Sequence, residues 1–229
     1  MTAPVHRVPR QPAAPIRERS VSSLERLTPK RPARNHHLLL APQAALEYLR
    51  PLLAELKLDK MVLCAPMPPV EELTGCCREW LRRSGPFQRI HGLIEWDGQH
   101  ETALRHAWQT SQDELDALAG IRIRLICCRP VFALWLLVHF EEPSPAWAEA
   151  SLIQTRVNAH LAALPGDPAT PLHVRLAPLL GQALGRSHAM AQQRLNRFPD
   201  DTFPLEPGTQ LQELITYWYK LARRALPQA

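Results

Sequence analysis

The chain has 229 residues, 45% hydrophobic and 21% charged; this suits one large domain with a sizeable core and excludes a disulfide-stapled mini-protein. Its 23 prolines against 9 glycines predict that part of the chain is irregular. The net charge of +5 arises in residues 1–35, where eight basic side chains stand against two acidic ones. The remainder is near neutral, so the charge does not predict a nucleic-acid-binding surface over the whole domain.

Residues 1–35 predict a basic, proline-rich arm that is disordered. The composition loosely suggests a transit peptide, but six prolines oppose the continuous amphipathic helix of such a peptide. A capping box from Ser22 to Glu25 predicts one short helix. We expect the arm to attract phosphate groups without sequence preference. Deleting residues 1–34 should therefore flatten the salt dependence of any nucleic-acid binding and leave the fold intact.

The five cysteines favour a reducing compartment. They form no Cys-x-x-Cys pair, so a zinc ribbon or finger is not indicated, and the thiols are expected to be small core groups. No signal peptide is evident, and the longest strongly apolar run, residues 131–138, is far below the roughly 20 residues of a transmembrane helix. We expect a cytoplasmic protein with no membrane partner.

Residues 36–142 alternate between short apolar runs and helical patterns, which predict one α/β core. Strands are predicted at 37–41, 60–65, 89–97 and 121–128, and helices at 43–58, 70–83, 102–108, 112–119 and 131–142. Pro51 is expected to kink or divide the first helix. Because long helical connections between strands are typical of parallel β-α-β units, we predict a mainly parallel open sheet with helices on both faces.

Residues 143–229 are predicted to be a helical region of the same domain. Its helices are expected at 146–164, 172–196 and 209–226, with loops at 165–168 and 198–208. Before this region, the helix at 131–142 offers few polar positions, so its large apolar side chains should be largely buried. These are Phe132, Trp135, Leu136 and Phe140. His139 in the same helix is expected to be a core histidine rather than a ligand.

The strongest candidate for a chemical site is the segment 94–100, Ile-Glu-Trp-Asp-Gly-Gln-His. Residues two apart on a strand share a face, so Glu95 and Asp97 would lie side by side at a carboxyl strand end, where open α/β sheets bind ligands. With His100 nearby, they form a candidate Mg²⁺ or Mn²⁺ site for metal-assisted phosphodiester chemistry. The alternative is a solvated strand end whose acids cap the following helix.

Other motifs are missing or ambiguous. The sequence has no G-x-G-x-x-G, G-x-x-x-x-G-K-[ST], G-x-S-x-G or H-E-x-x-H pattern, so nucleotide cradling, nucleophile-elbow hydrolysis and zincin chemistry have no candidate. Arg122 and Arg124 alternate on one predicted strand. They form either its exposed face or a phosphate-contacting pair.

Three segments together resemble the RloB family, a group of Toprim-fold proteins associated with prokaryotic phage defence. Residues 128–141, Cys-Arg-Pro-Val-Phe-Ala-Leu-Trp-Leu-Leu-Val-His-Phe-Glu, resemble the family signature S-N-P-x-F-E-L-W-L-L-L-H-F. Residues 94–100 resemble the family's D-R-D segment at a strand end. Residues 205–214 resemble its N-P-x-T-x-v-x-x-L stretch. The resemblance covers about residues 37–226 and leaves the arm outside.

The resemblance implies a Toprim-like core in which a Glu after the first strand and a D-x-D motif after the third bind divalent metal for nucleic-acid cleavage. This chain departs from that pattern at several positions. Residues 40–48, Leu-Ala-Pro-Gln-Ala-Ala-Leu-Glu-Tyr, stand where the family has E-G-x-x-T-E-x-x-Y, with Tyr48 as the anchor and no acid at the start. Trp96 replaces the arginine of D-R-D, and Ala133 replaces a glutamate.

We therefore expect a degenerate metal site in which Glu95, Asp97 and His100 bind Mg²⁺ or Mn²⁺ weakly. Arg122, Arg124 and Arg129 are the candidate nucleic-acid contacts. Three functions stay open. The leading one is a phage-defence protein that binds nucleic acid or an effector. The others are an active metal-dependent nuclease that cleaves RNA or DNA, and a non-catalytic partner subunit of an ATPase, since family members are often encoded beside one.

Overall fold

The computed structural model describes residues 37–84, 87–96, 106, 109–110, 113–114, 122–144, 147–197 and 208–225. All of them belong to one compact unit, Arg34–Ala229. The predicted arm at 1–35 lies outside the described residues. So do Asp97, His100 and most of the helices predicted at 102–108 and 112–119.

The centre of the unit is a five-stranded sheet. Its strands are β1 (His37–Ala41), β2 (Val62–Pro66), β3 (Arg89–Glu95), β4 (Arg122–Arg129) and β5 (Gly208–Thr209). The order across the sheet is β2-β1-β3-β4-β5, with β1 to β4 parallel and β5 antiparallel to β4. The predicted mainly parallel α/β sheet is thus confirmed. The two-residue β5 was not predicted, because so short a strand has no periodicity of its own.

Seven described helices surround the sheet. They are α1 (Gln43–Glu55), α2 (Leu73–Ser84), α3 (Ala133–Leu137), α4 (Ala150–Ala163), α5 (Leu172–Leu176), α6 (Leu180–Arg197) and α7 (Leu211–Ala225). Single 3₁₀ turns precede α2, at Val70–Glu72, and α6, at Ala177–Leu179.

Two helical segments that contain prolines differ from the predictions. Pro51 was expected to kink or divide the first helix; it does not divide it, because α1 runs through Pro51 without a break. Six residues of α1 are buried, and their packing offsets the one hydrogen bond that a proline cannot donate. The single helix predicted at 172–196 is instead broken into α5, a 3₁₀ turn that contains Pro178, and α6.

The two faces of the sheet are both covered, which is why its strands are almost wholly apolar. On one face, Leu39, Leu93 and Ile126 pack in the larger core cluster with side chains of α1, α3, α4 and α7. On the opposite face, Leu40, Ile94 and residues of α2 form a second cluster. Below, these are called the α1 face and the α2 face. The predicted placement of helices on both sides is confirmed.

The segment after β4 is buried as predicted, although α3 is much shorter than the helix predicted at 131–142. Phe132, Trp135 and Leu136 are buried and Phe140 is half-buried. His139 is fully buried in the core; its Nδ1 lies 2.9 Å from the carbonyl oxygen of Trp135, whereas its Nε2 has no hydrogen-bond partner among the described residues. None of the described helices is long and apolar enough to cross a bilayer.

The five cysteines are free thiols, and three of them are buried. Burial raises the pKa of Cys77 to about 12 and also raises the pKa of Cys127. These thiols are therefore kept protonated and unreactive. Their role is core packing, as the sequence predicted.

Candidate functional site

The strand order creates a crevice between β1 and β3. From β1 the chain continues to β2, which lies beside β1 toward one edge of the sheet. From β3 it continues to β4, which lies toward the opposite edge. Ligands bind open parallel sheets at the carboxyl ends of the two strands where the direction of winding reverses in this way. The carboxyl ends of β1 and β3 are therefore the place where the fold itself favours a binding site.

A cavity of about 520 Å³ lies at this crevice on the α1 face of the sheet. Its polar lining residues are Glu47, Tyr48, Glu95 and Gln154, and its apolar walls include Phe132 and Leu136. Among the residues that the structure describes, two carboxylates and no basic side chain line it. The cavity thus combines a negative charge with an apolar wall, which suits a cation or a ligand that carries one.

Glu95, the last residue of β3, connects two neighbouring strands. Its Oε1 accepts a hydrogen bond of 2.7 Å from the backbone N–H of Phe132, which lies directly before α3. Because the side chain of Glu95 is exposed and water competes for its oxygens, this hydrogen bond is worth about 1 kcal/mol. Glu95 therefore binds the start of α3, after β4, whereas the helix predicted directly after β3 lies mostly outside the described residues.

Glu47 is a second acid of the cavity that the sequence reasoning missed. It lies on the second turn of α1, with its Oε1 accepting a hydrogen bond of 3.2 Å from Gln43 Nε2. Ala44, Glu47 and Tyr48 follow each other at helical spacing and line the same cavity. That spacing was the available signal.

Tyr48 forms the inner wall of the cavity. It is buried, and its ring centroid lies 5.9 Å from that of Phe132 and 6.4 Å from that of His173. Burial raises the pKa of Tyr48 to about 12, so its phenol stays neutral. His173 is held in turn by a 2.7 Å contact between its Nε2 and Oε2 of Glu55.

Trp96 and Arg129 occupy the same carboxyl edge on the α2 face. Trp96 is buried, and the guanidinium carbon of Arg129 lies 4.0 Å from the centre of its ring. This cation–π contact holds Arg129 in place. The structure therefore puts one of the three predicted nucleic-acid-binding arginines at the edge of the sheet where Glu95 lies.

Arg122 and Arg124 lie in the amino-terminal half of β4, and Arg124 does not line the cavity. Arg124 forms an ion pair with Glu213 of α7, with side chains that are 54% and 36% exposed. Arg122 is the first residue of the strand. Neither residue is therefore brought together with Glu95.

The metal donor set cannot be completed from the described side chains. Among the residues that the structure describes, no group of three or more His, Cys, Asp or Glu side chains could hold a metal ion. Asp97 and His100 fall outside those residues. The described donors at the cavity are thus Glu47 and Glu95.

No family model, curated protein or solved structure matches the chain. Fold and cavity together define the class: an α/β protein with an acidic, apolar-walled cavity at the switch point of a parallel sheet. The residues of that cavity are the starting point for any functional assignment.

Proposed function

We propose that this chain is a RloB-like phage-defence protein whose Toprim-type core binds nucleic acid or an effector through a degenerate metal site. The main support is that Glu47 and Glu95 line one cavity at the carboxyl ends of β1 and β3. The parallel order of β2, β1, β3 and β4 is compatible with a Toprim-type core. The three sequence segments that resemble the family supply the link to phage defence.

The donor set fits a divalent cation only weakly. Carboxylate oxygens are the ligands that Mg²⁺ and Mn²⁺ prefer. One oxygen of Glu95 already accepts from Phe132 and one oxygen of Glu47 from Gln43, so each carboxylate offers its other oxygen to a cation. A bound cation would neutralise part of the charge of a phosphate group in the cavity.

Phosphate binding at this edge then depends on the cation. Without it, the two carboxylates repel a phosphate group, and Arg129 supplies a positive charge at the same edge, on the α2 face. We therefore expect nucleic-acid binding to require Mg²⁺ or Mn²⁺ and to weaken in Arg129→Ala.

A thermal-shift titration with Mg²⁺ and Mn²⁺ tests the site. A cation that binds only the folded chain raises the melting temperature by mass action. We expect a rise in the native protein and in the control Glu71→Gln, whose exposed carboxylate lies before α2. The rise should be lost in Glu95→Gln and reduced in Glu47→Gln and Asp97→Ala. No effect of either metal on the native protein would contradict the proposal and leave Glu95 a structural residue.

An active nuclease is the second candidate, and the position of Glu47 favours it. With Glu95, Glu47 supplies a second carboxylate at the cavity. The test is to incubate the purified protein with Mg²⁺ or Mn²⁺ and a mixed pool of DNA and tRNA. We expect binding with little cleavage, because Trp96 cannot make the bidentate phosphate contact of an arginine. Robust cleavage that Glu47→Gln or Asp97→Ala abolishes would establish the nuclease instead.

A further inference from the structure

A second cavity, of about 350 Å³, lies in the C-terminal helical region and shares no lining residue with the first. Apolar side chains form most of it, among them Phe140, Leu164 and Leu179. Its polar groups are Arg175 of α5 and His160 of α4, and none of the described acids lines it. The charge of this cavity is thus opposite to that of the cavity at Glu95.

The guanidinium of Arg175 lies in the wall of the cavity and has no acidic partner in the part of the chain that the structure describes. Its Nη2 donates a 2.8 Å hydrogen bond to the carbonyl oxygen of Leu164. Its Nε is buried and has no hydrogen-bond partner among the described residues, and none of the described acids forms an ion pair with it. A half-buried cation gains stability when an anion joins it, because the anion compensates for the water that the cation has lost.

A flat aromatic surface lies beside this charge. The rings of Phe140 and His160 are parallel within 2° and their centroids are 4.6 Å apart. Glu141 fixes the imidazole: its Oε1 lies 2.7 Å from Nε2 of His160 and accepts a 3.0 Å hydrogen bond from Nε of Arg156. The stacked pair is therefore a rigid wall against which a planar ligand can pack.

We propose that this cavity binds a small aromatic carboxylate. The carboxylate would pair with the guanidinium of Arg175, and the ring would pack between the Phe140–His160 stack and the side chains of Leu164 and Leu179. An arginine suits a carboxylate because its N–H groups match the two oxygens. Inorganic phosphate is disfavoured, since the apolar walls cannot replace its hydration. This site is independent of the function proposed above.

Benzoate is the probe, and two analogues separate the two parts of the interaction. Benzamide keeps the ring and loses the charge, whereas acetate keeps the charge and loses the ring. By titration calorimetry or NMR shifts on the full chain, we expect benzoate to bind with a dissociation constant on the order of 1 mM, which is typical of so small a ligand. Benzamide and acetate should bind at least tenfold more weakly.

Variants test the role of the guanidinium. Arg175→Gln should weaken benzoate binding at least tenfold, and Lys220→Gln, at an exposed cation on α7, should leave it unchanged. If Arg175→Gln does not fold, Ala163→Leu decides, because it fills the cavity and leaves the guanidinium in place; it should weaken benzoate binding by a similar factor. The proposal would be overturned if benzoate does not bind, or if benzoate and benzamide bind equally well. It would also be overturned if benzoate binds unchanged to Arg175→Gln or, where that variant does not fold, to Ala163→Leu.

Discussion

The two ends of the sheet differ on the α1 face. At the carboxyl ends of β1 and β3, a cavity is left open and lined by Glu47 and Glu95. Toward the amino ends of the same strands, α7 lies over the sheet and fills the space with Trp218 and Tyr217. Polar side chains at the covered end therefore serve the packing of α7, whereas those at the open end are available to a ligand.

The covered end contains an unusual set of polar rings. His37, His91 and Tyr217 contact one another with ring centroids 5.7–6.1 Å apart, and both histidines are buried. The guanidinium carbon of Arg89 lies over the ring of Tyr217, 4.6 Å from its centre. Neither ring nitrogen of His91 has a hydrogen-bond partner among the described residues. Such a cluster is tolerated only while its imidazoles stay neutral.

The largest effect should come from Trp218, which is fully buried where α7 meets the sheet. Trp218→Ala leaves a cavity in the larger core cluster, and we expect it to lower the free energy of unfolding by about 3–5 kcal/mol in urea denaturation. Gln154→Ala, at an exposed residue of the open cavity, should change it by less than about 0.5 kcal/mol. An equal loss of unfolding free energy in Trp218→Ala and Gln154→Ala would show that the two ends do not differ in this way.

Acidification should weaken the covered end next. Burial first, and then the charges of His37, Arg89 and Arg124, lower the pKa of His91 to about 3 from its ordinary 6.5. The unfolded chain thus binds a proton more readily than the folded one between these values. The contribution of this residue to the free energy of unfolding is nearly complete at pH 7 and falls as the pH is lowered, by about 2 kcal/mol between pH 7 and pH 5.

Urea denaturation at pH 7 and pH 5 measures this slope. His91→Leu should flatten it, and His188→Leu, at an exposed histidine of α6, should not. Part of the slope will remain in His91→Leu, since burial also lowers the pKa of His139 to about 4. A slope unchanged by His91→Leu would show that the cluster accepts a proton without cost.

At the open end, the loss of one hydrogen bond should have a smaller effect. Glu95→Ala removes the acceptor of the Phe132 N–H. Because Glu95 is exposed and water can replace it in part, we expect a loss of about 1 kcal/mol. Glu47→Ala removes only an exposed contact within α1 and should cost a few tenths of a kcal/mol, roughly the value of such a pair. A Glu47→Ala variant that is the less stable of the two would reverse this assignment.

The smallest effect is expected at Arg124 and Glu213. Their ion pair joins β4 to α7 but is largely exposed, so a double-mutant cycle should give a coupling of less than about 1 kcal/mol that declines with added salt. A coupling above about 2 kcal/mol would mean that this pair, and not the apolar face of α7, attaches the helix to the sheet.

Several features of the fold followed directly from the sequence. The four parallel strands begin within a few residues of their predicted positions, because an apolar run between helical segments is recognisable without tertiary context. The burial of Phe132, Trp135 and Leu136 was predicted for the same reason. Helix ends were predicted less well, as the short α3 and the 3₁₀ turn at Pro178 demonstrate, since packing decides whether a marginal turn is helical.

The candidate site was predicted in part. The sequence pointed to Glu95 and to the carboxyl end of its strand, because ligand sites of parallel sheets lie there. It did not reveal Glu47, whose distance from Glu95 in sequence hides a shared cavity. Nor could it separate Arg129, at the edge near Glu95, from Arg124, which pairs with α7. Spacing along one strand indicates a face and an end, but not which neighbouring element covers them.

By itself, the sequence determined the alternation of strands and helices, and with it a parallel sheet covered on both faces, since local apolar patterns and connection lengths are properties of short segments. Only the tertiary structure decided the strand order, the covering of one end by α7, and the meeting of Glu95 with Phe132 and of His91 with Tyr217. Those contacts join residues that are far apart in the chain. They form when the elements pack together in the whole fold, and a local sequence pattern does not specify which elements will meet.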